Sequence, residues 1–168
     1  MYSLNVPVPG QVARLATDLR PRLTGFDRVR DRHTLVLKRL GDLDGATFSS
    51  VEKSVRQALD EAPTVEAAVT GVDAFQEPVN GPAPVVYLSV ESPGLLDLHR
   101  RLLAVVDPVD GLEGPDYVPH VTLARGGDSV ALERVLQTSI EPVSWTVTSL
   151  EFWDAGRDER AGRLSLPG

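Results

Sequence analysis

Two stretches that echo each other decide the fold: Arg32-His33-Thr34-Leu35-Val36-Leu37-Lys38-Arg39-Leu40-Gly41-Asp42 and Pro119-His120-Val121-Thr122-Leu123-Ala124-Arg125-Gly126-Gly127-Asp128. Each has a histidine as its second residue with a threonine close by, continues through an apolar middle to a basic residue, and then reaches Gly-Asp ahead of a helical pattern. A short apolar run bounded by turn residues reads as a strand covered on both faces. The two histidines stand about half the chain apart, so a whole lobe is repeated; a solenoid would show a shorter period more times.

Around these stretches the pattern extends both ways. Tyr2 to Val8 alternates and predicts a strand. Val12, Leu15, Ala16, Leu19 and Leu23 predict a helix from about Gly10 to Thr24, which Pro21 should kink or end near Leu19. Asp27 to Leu40 predicts one strand. Ser49-Ser50-Val51-Glu52 resembles a capping box opening a helix that ends near Ala62. Val65 to Phe75 and Pro84 to Val90 predict strands joined by a Pro/Gly turn. Ser92-Pro93 caps a helix running to about Ala104, and Val105 to Pro115 reads as a loop. Tyr117 to Arg125 predicts a strand, Asp128 caps a further helix, Val143 to Trp153 predicts one exposed-face strand, and Arg163 to Leu166 a short closing one. The resulting order is β-α-β-α-β-β-α-β-α-β-β, in which the strand-helix-strand-helix-strand half recurs.

A chain of 168 residues suits one domain or two small lobes sharing a core. No apolar run is long enough to cross a bilayer, and MYSLNVPVPG lacks a signal-peptide pattern, so a cytoplasmic location is the default. With no Cys, disulfides, thiolate metal sites and Cys nucleophiles are excluded, and three histidines argue against an imidazole-built metal site. Asp154, Asp158 and Glu159 sit in a turn without ligand spacing. The net charge of −7 excludes a broad basic nucleic-acid face, so an anionic substrate must meet a small local cluster.

Two lobes of this kind place His33 and His120 across a shared cleft. Imidazole both takes and gives a proton near neutral pH, so a neutral and a protonated ring make a base–acid pair. A threonine two residues along a strand from its histidine shares its face and offers a hydroxyl to an oxyanion. Two such sets grip a phosphodiester from both sides with no metal or other cofactor. Arg125, Lys38 and Arg39 are candidate phosphate holders, Arg30 and Arg32 an extension of the basic rim. Tyr117 is a candidate for stacking on a base or for core packing. His99 is expected on a helix surface, and Trp145, Phe152 and Trp153 in packing.

The duplicated motif resembles that of the 2H phosphoesterases, and within them the 2′-5′ RNA ligase / RNA 2′,3′-cyclic phosphodiesterase group, over nearly the whole chain. Pro119-His120-Val121-Thr122-Leu123-Ala124-Arg125 matches the second H-x-[ST]-x motif, Val147 to Trp153 a late strand, and Leu37-Lys38-Arg39-Leu40-Gly41 the tail of the first motif. The resemblance implies an α/β (α+β) bilobal fold, residues 1–168 as one domain with approximate repeats 1–80 and 81–168. Two pseudo-symmetric, mostly antiparallel sheets surround a central cleft, with helices outside. It implies metal-independent opening of RNA 2′,3′-cyclic phosphate ends to 2′-phosphates, reversible 2′-5′ joining by the same pair, RNA 3′ ends or cyclic nucleotides as partners, and a monomer away from membranes. His33 and His120 are then catalytic, with Thr34, Thr122, Lys38, Arg39, Arg125 and Tyr117 around the phosphate.

The first motif departs from the pattern, reading His33-Thr34-Leu35 where His-x-Thr is expected. Alignment on Lys-x-Leu-Gly puts Thr34 in the histidine slot and Val36 in the threonine slot. Three arrangements follow: a bulge that brings His33 into the cleft, His33 in the cleft with Thr34 turned away, or His33 buried. The expected arrangement has His33 in the cleft, with Lys38 at the same offset from it as Arg125 from His120. The alternative function is a non-catalytic module that holds terminal or cyclic phosphates; a scaffold with incidental histidines is a third.

Overall fold

The computed structural model describes residues 1–168 and contains two antiparallel sheets and four α-helices. In chain order these are β1 Tyr2–Val6, α1 Gly10–Asp18, β2 Arg28–Val29, β3 Leu35–Gly41, α2 Gly45–Ala58, β4 Val65–Phe75, β5 Val85–Glu91, α3 Pro93–Leu102, β6 His120–Arg125, α4 Ser129–Leu136, β7 Val143–Val147, β8 Ser149–Asp154 and β9 Glu159–Ser165. One sheet has the order β3-β1-β8-β9 and the other β2-β6-β5-β4-β7. The mixed α+β class with two antiparallel sheets matches the expected fold.

The sheets are related strand for strand: β3-β1-β8 in one answers to β6-β5-β4 in the other. Each half of the chain lends a strand to the opposite sheet. β4, from the first half, lies between β5 and β7, while β8 and β9, from the second, extend the sheet beyond β1. The apolar faces meet in one core of 33 buried residues, including Leu4, Leu35, Leu37, Leu88, Leu123, Leu150 and Phe152. Burying a side chain of that size contributes on the order of 1.5–3 kcal/mol. Helix α3 packs against both β3 and β4 and so ties the sheets together. Its first turn approaches β4 closely at Gly94, where a β-carbon would collide with Val65.

Several boundaries differ from the sequence reading for local reasons. The Asp27–Leu40 strand is broken, because residues 30–34 leave the sheet between β2 and β3. Helix α2 starts at Gly45, earlier than the Ser49 box; Asp44 is the cap, its carboxylate accepting from Thr47 N at 2.7 Å. The Val143–Trp153 run is two strands: β7 pairs with β4, the chain changes sheet at Thr148, and β8 pairs with β1. The closing strand β9 is longer than expected, pairing with the length of β8. Pro21 ends α1 in a 3-10 turn over Arg20–Leu23 as expected, and Ser92 and Asp128 cap α3 and α4 by accepting from Leu95 N and Ala131 N. No helix is long and apolar enough to cross a membrane.

Candidate active site

On β6 the sequence places His120 and Thr122 two residues apart, hence on one face. Arg125 lies five residues after His120, an odd offset that a regular strand would turn to the other face. A β-bulge corrects this: Tyr87 pairs with Thr122 but Val86 pairs with Ala124, so Leu123 is the extra residue. His120 and Arg125 therefore line the same cleft, while Val121 and Leu123 stay in the core.

Strand β3 carries a bulge at the matching place. Asn5 pairs with Val36 and Leu4 with Lys38, leaving Leu37 as the extra residue. Superposing bulge on bulge equates Leu37 with Leu123, Val36 with Thr122, Arg39 with Arg125, and Thr34 with His120. Val36 and Arg39 accordingly line the cleft with His120 and Arg125.

The cleft has a volume of about 290 Å³. Its walls are Phe75 to Asn80 at the end of β4 and Gly111 to Val118 before β6. His120 is held from three sides. Its Nδ1–H donates to Val118 O at 2.6 Å, and the ring stands edge-on to Phe75 and tilted to Tyr87, with centroids at 5.1 and 5.3 Å. That bond fixes the tautomer and leaves Nε2 with a free lone pair. Burial lowers the His120 pKa, Arg39, Arg125 and Arg30 lower it further, and the bond to Val118 opposes them. At neutral pH the ring is an uncharged base inside a cluster of guanidiniums, the local cationic site that a −7 chain requires. Arg125 is steadied by donating to Asn80 O at 2.7 Å.

A sequence model of the 2′-5′ RNA ligase superfamily matches residues 34–159. The chain belongs to that superfamily. The match opens on Thr34, the residue that the paired bulges equate with His120. Solved structures similar to the chain include TT0787 of Thermus thermophilus, at 18% identity and TM-score 0.71 over 99% of this chain and 98% of that one. Escherichia coli LigT complexed with 3′-AMP is similar at 20% identity and TM-score 0.64, again over 99% and 98%. LigT complexed with phosphate gives 18% and 0.67, over 99% and 97%. No curated protein sequence matches significantly. Membership of the 2′-5′ RNA ligase superfamily indicates an activity of the phosphoesterase or ligase type.

Within this superfamily frame the expected site residues separate into groups. His120, Arg39, Arg125 and Tyr117 line one cleft. Thr122 is half-buried on the His120 face of β6. His33 and Thr34 line a different, smaller depression with Asn5, Arg32, Glu151 and Trp153. His33 is thus not among the residues that line the His120 cleft. Residues 30–34 are not strand, so strand parity does not orient them, and the bulge register, carried back from β3, aligns Thr34 and not His33 with His120.

Lys38 as a phosphate ligand is corrected. It falls on the core side of the bulge and is 0% exposed. Its ammonium donates to Glu113 Oε1 at 2.6 Å, Arg39 O at 2.8 Å and Asp107 O at 2.9 Å, leaving no donor for a ligand. Tyr117 is mainly a packing residue: one ring face stacks on His99 at 4.0 Å, and its hydroxyl donates to Val36 O at 2.9 Å. His99, expected at the surface, is 1% exposed. Its Nδ1–H donates to Leu37 O at 2.8 Å and its Nε2 accepts from Gly114 N at 2.9 Å, a pattern open only to the neutral ring.

Sequence reasoning missed Glu113. Besides Lys38 its carboxylate accepts from Arg39 N at 2.7 Å and Val109 N at 3.0 Å. Glu113, His99 and Tyr117 together satisfy backbone groups of residues 36–39, the bulged outer edge of β3, and fasten the 105–118 wall to it. A buried pair of this kind is retained only when its hydrogen bonds are complete. The available signal is an acidic residue in an otherwise loop-like stretch close ahead of Tyr117 and His120.

Proposed function

We propose that the cleft binds the phosphate of an RNA end or nucleotide and opens a 2′,3′-cyclic phosphate to a 2′-phosphate without a metal ion. The supporting observation is His120, pinned through Nδ1, uncharged at neutral pH, with Nε2 free beside Arg39 and Arg125. His120 Nε2 takes a proton from water, the water oxygen bonds to phosphorus, and the bond from phosphorus to the 3′-oxygen breaks. Arg39 and Arg125 balance the charge on the phosphoryl oxygens, and the Thr122 hydroxyl donates to one of them. With a 5′-hydroxyl in place of water, the same steps join a 2′-5′ linkage, and their reverse cleaves it back to the cyclic phosphate.

In-line displacement sends the 3′-oxygen toward β3, away from His120. A proton is needed there, and His33, on the segment that leads into β3, is the candidate acid. Burial lowers its pKa, as do Arg20 and Arg30, against the opposing effect of Asp31. Its protonated form is therefore favoured on the acid side of neutrality. The bulge register that aligns Thr34 with His120 leaves no histidine at that position of β3, which favours a second reading, a cleft that holds terminal or cyclic phosphates without turning them over. We further propose that the chain acts as a cytoplasmic monomer.

The test follows a 2′,3′-cyclic mononucleotide by phosphorus NMR in excess EDTA. The expected result is slow appearance of the 2′-phosphate, lost in His120→Ala and reduced in His33→Ala. Undiminished turnover in His33→Ala removes that residue from the mechanism. Saturable binding with no product after long incubation establishes the second reading, and EDTA-sensitive turnover overturns the first.

A further inference from the structure

Strand β2 is the outer strand of its sheet, beside β6, the strand that carries His120 and Arg125. Arg28 pairs directly with Arg125, so the two side chains share the cleft face. Arg30 continues the run, its N–H donating to Leu123 O at 2.8 Å, and its charge, like that of Arg28, reaches Arg125. Two residues of strand separate the pair by about 6–7 Å. Both are exposed.

The charges around them are not balanced. Arg20 pairs with Asp31, Arg32 with Asp158, and Arg39 contacts Glu113, but Arg28, Arg30 and Arg125 take part in no ion pair. Arg28 and Arg30 act electrostatically on Arg125, and Arg30 on both His120 and His33. The acidic groups that line the cleft, Glu77 and Asp116, lie on its other walls. In a chain of net charge −7, three unpaired guanidiniums close enough to act on one another repel, and an anion held along them relieves that repulsion.

We propose that Arg28 and Arg30 form a track for the phosphodiester backbone of a single-stranded RNA whose terminal phosphate occupies the His120 cleft. The substrate is then the end of an oligonucleotide in preference to a free cyclic mononucleotide. This rests on the reading of the cleft as a phosphate site. Arg125 joins track to cleft, and the two arginines take the two phosphates that precede the terminal one. The contacts are to phosphates, so the track carries no base preference.

The test compares affinity for a 2′-phosphorylated mononucleotide and for a short RNA ending in the same nucleotide, by titration at several salt concentrations. Product ends are used so that no turnover is needed. The RNA is expected to bind at least tenfold more tightly at low salt. The slope of log affinity on log salt should be steeper by about 1.4, for two further phosphate contacts on a single strand. In Arg28→Ala/Arg30→Ala the preference for RNA should collapse to within about twofold. Arg101→Ala, the loss of an exposed charge on α3, should leave that preference intact.

RNA binding no more tightly than the mononucleotide overturns the track. Equal loss in Arg101→Ala and the β2 variant also overturns it, by reducing the effect to net charge. If neither ligand binds the wild type, the reading of the cleft fails and the track with it. If the mononucleotide binds without an RNA preference, the track alone fails.

Discussion

At the scale of single residues, the site is organised by which nitrogen of each imidazole is committed. His120 gives Nδ1–H to Val118 O and keeps Nε2 open, whereas His99 uses both nitrogens inside the core. Type and position in the sequence distinguish neither, because both histidines lie in apolar patterns; only the carbonyl that each ring meets separates base from strut. The pH dependence of turnover follows from the same groups. Burial and the arginines hold the His120 pKa below the usual histidine value of about 6.5. Its basic form therefore accumulates as pH rises through a point on the acid side of that value. Log kcat/KM should climb with unit slope to that point. With His33 as the acid, its pKa lowered as well, the rate should fall again above its own pKa, giving a narrow bell on the acid side of neutrality. His33→Ala should turn the bell into a rise and plateau with a lower ceiling. A bell centred above pH 7 in the wild type, or the same bell in His33→Ala, sinks this assignment.

At the scale of elements, the paired bulges explain what can and cannot be read from the chain. A bulge adds one residue without a marker in the alternation of apolar and polar positions. The odd offset from His120 to Arg125 is visible in the sequence, but its geometric meaning is not. For the same reason the sequence presents Lys38 as the partner of Arg125, although the bulge at Leu37 turns Lys38 inward and Arg39 outward. Caps at Ser92 and Asp128 are legible because a side-chain acceptor at the right spacing carries its own signal. The break at Thr148 is not, since β7 and β8 share one alternating pattern while pairing in different sheets. The register makes a constructive prediction. Thr34→His puts an imidazole at the position that the bulge register aligns with His120, and Thr34→His/Val36→Thr restores the His-x-Thr spacing. A positioned general acid is worth about 10²–10⁴-fold, so turnover of a 2′,3′-cyclic nucleotide by the double variant should exceed wild type at least tenfold. Unchanged or reduced turnover in a folded double variant rules out the bulge-to-bulge alignment.

At the scale of the whole molecule, the duplication and the exchange of strands have one physical consequence: neither half of the sequence can bury its own core. Residues 1–80 contain β1 and β3, which need β8 against β1, and they contain β4, whose partners β5 and β7 are both in residues 81–168. Alone, each half leaves the paired edges of its strands and an apolar face open to water, and a sheet in that condition does not persist. The Pro78–Pro82 turn between β4 and β5 is the point where the chain can be divided without cutting a strand, because no residue from 76 to 84 is strand or helix. Fragments 1–80 and 81–168, purified separately, should therefore show little ordered secondary structure by circular dichroism. Mixed or co-expressed, they should recover the native spectrum and elute as one complex. The cleft would be rebuilt with them, since Val36 and Arg39 come from one fragment and His120 and Arg125 from the other. If either fragment folds alone with a cooperative thermal transition, the halves are independent lobes and the exchange of β4 for β8 contributes little to their stability.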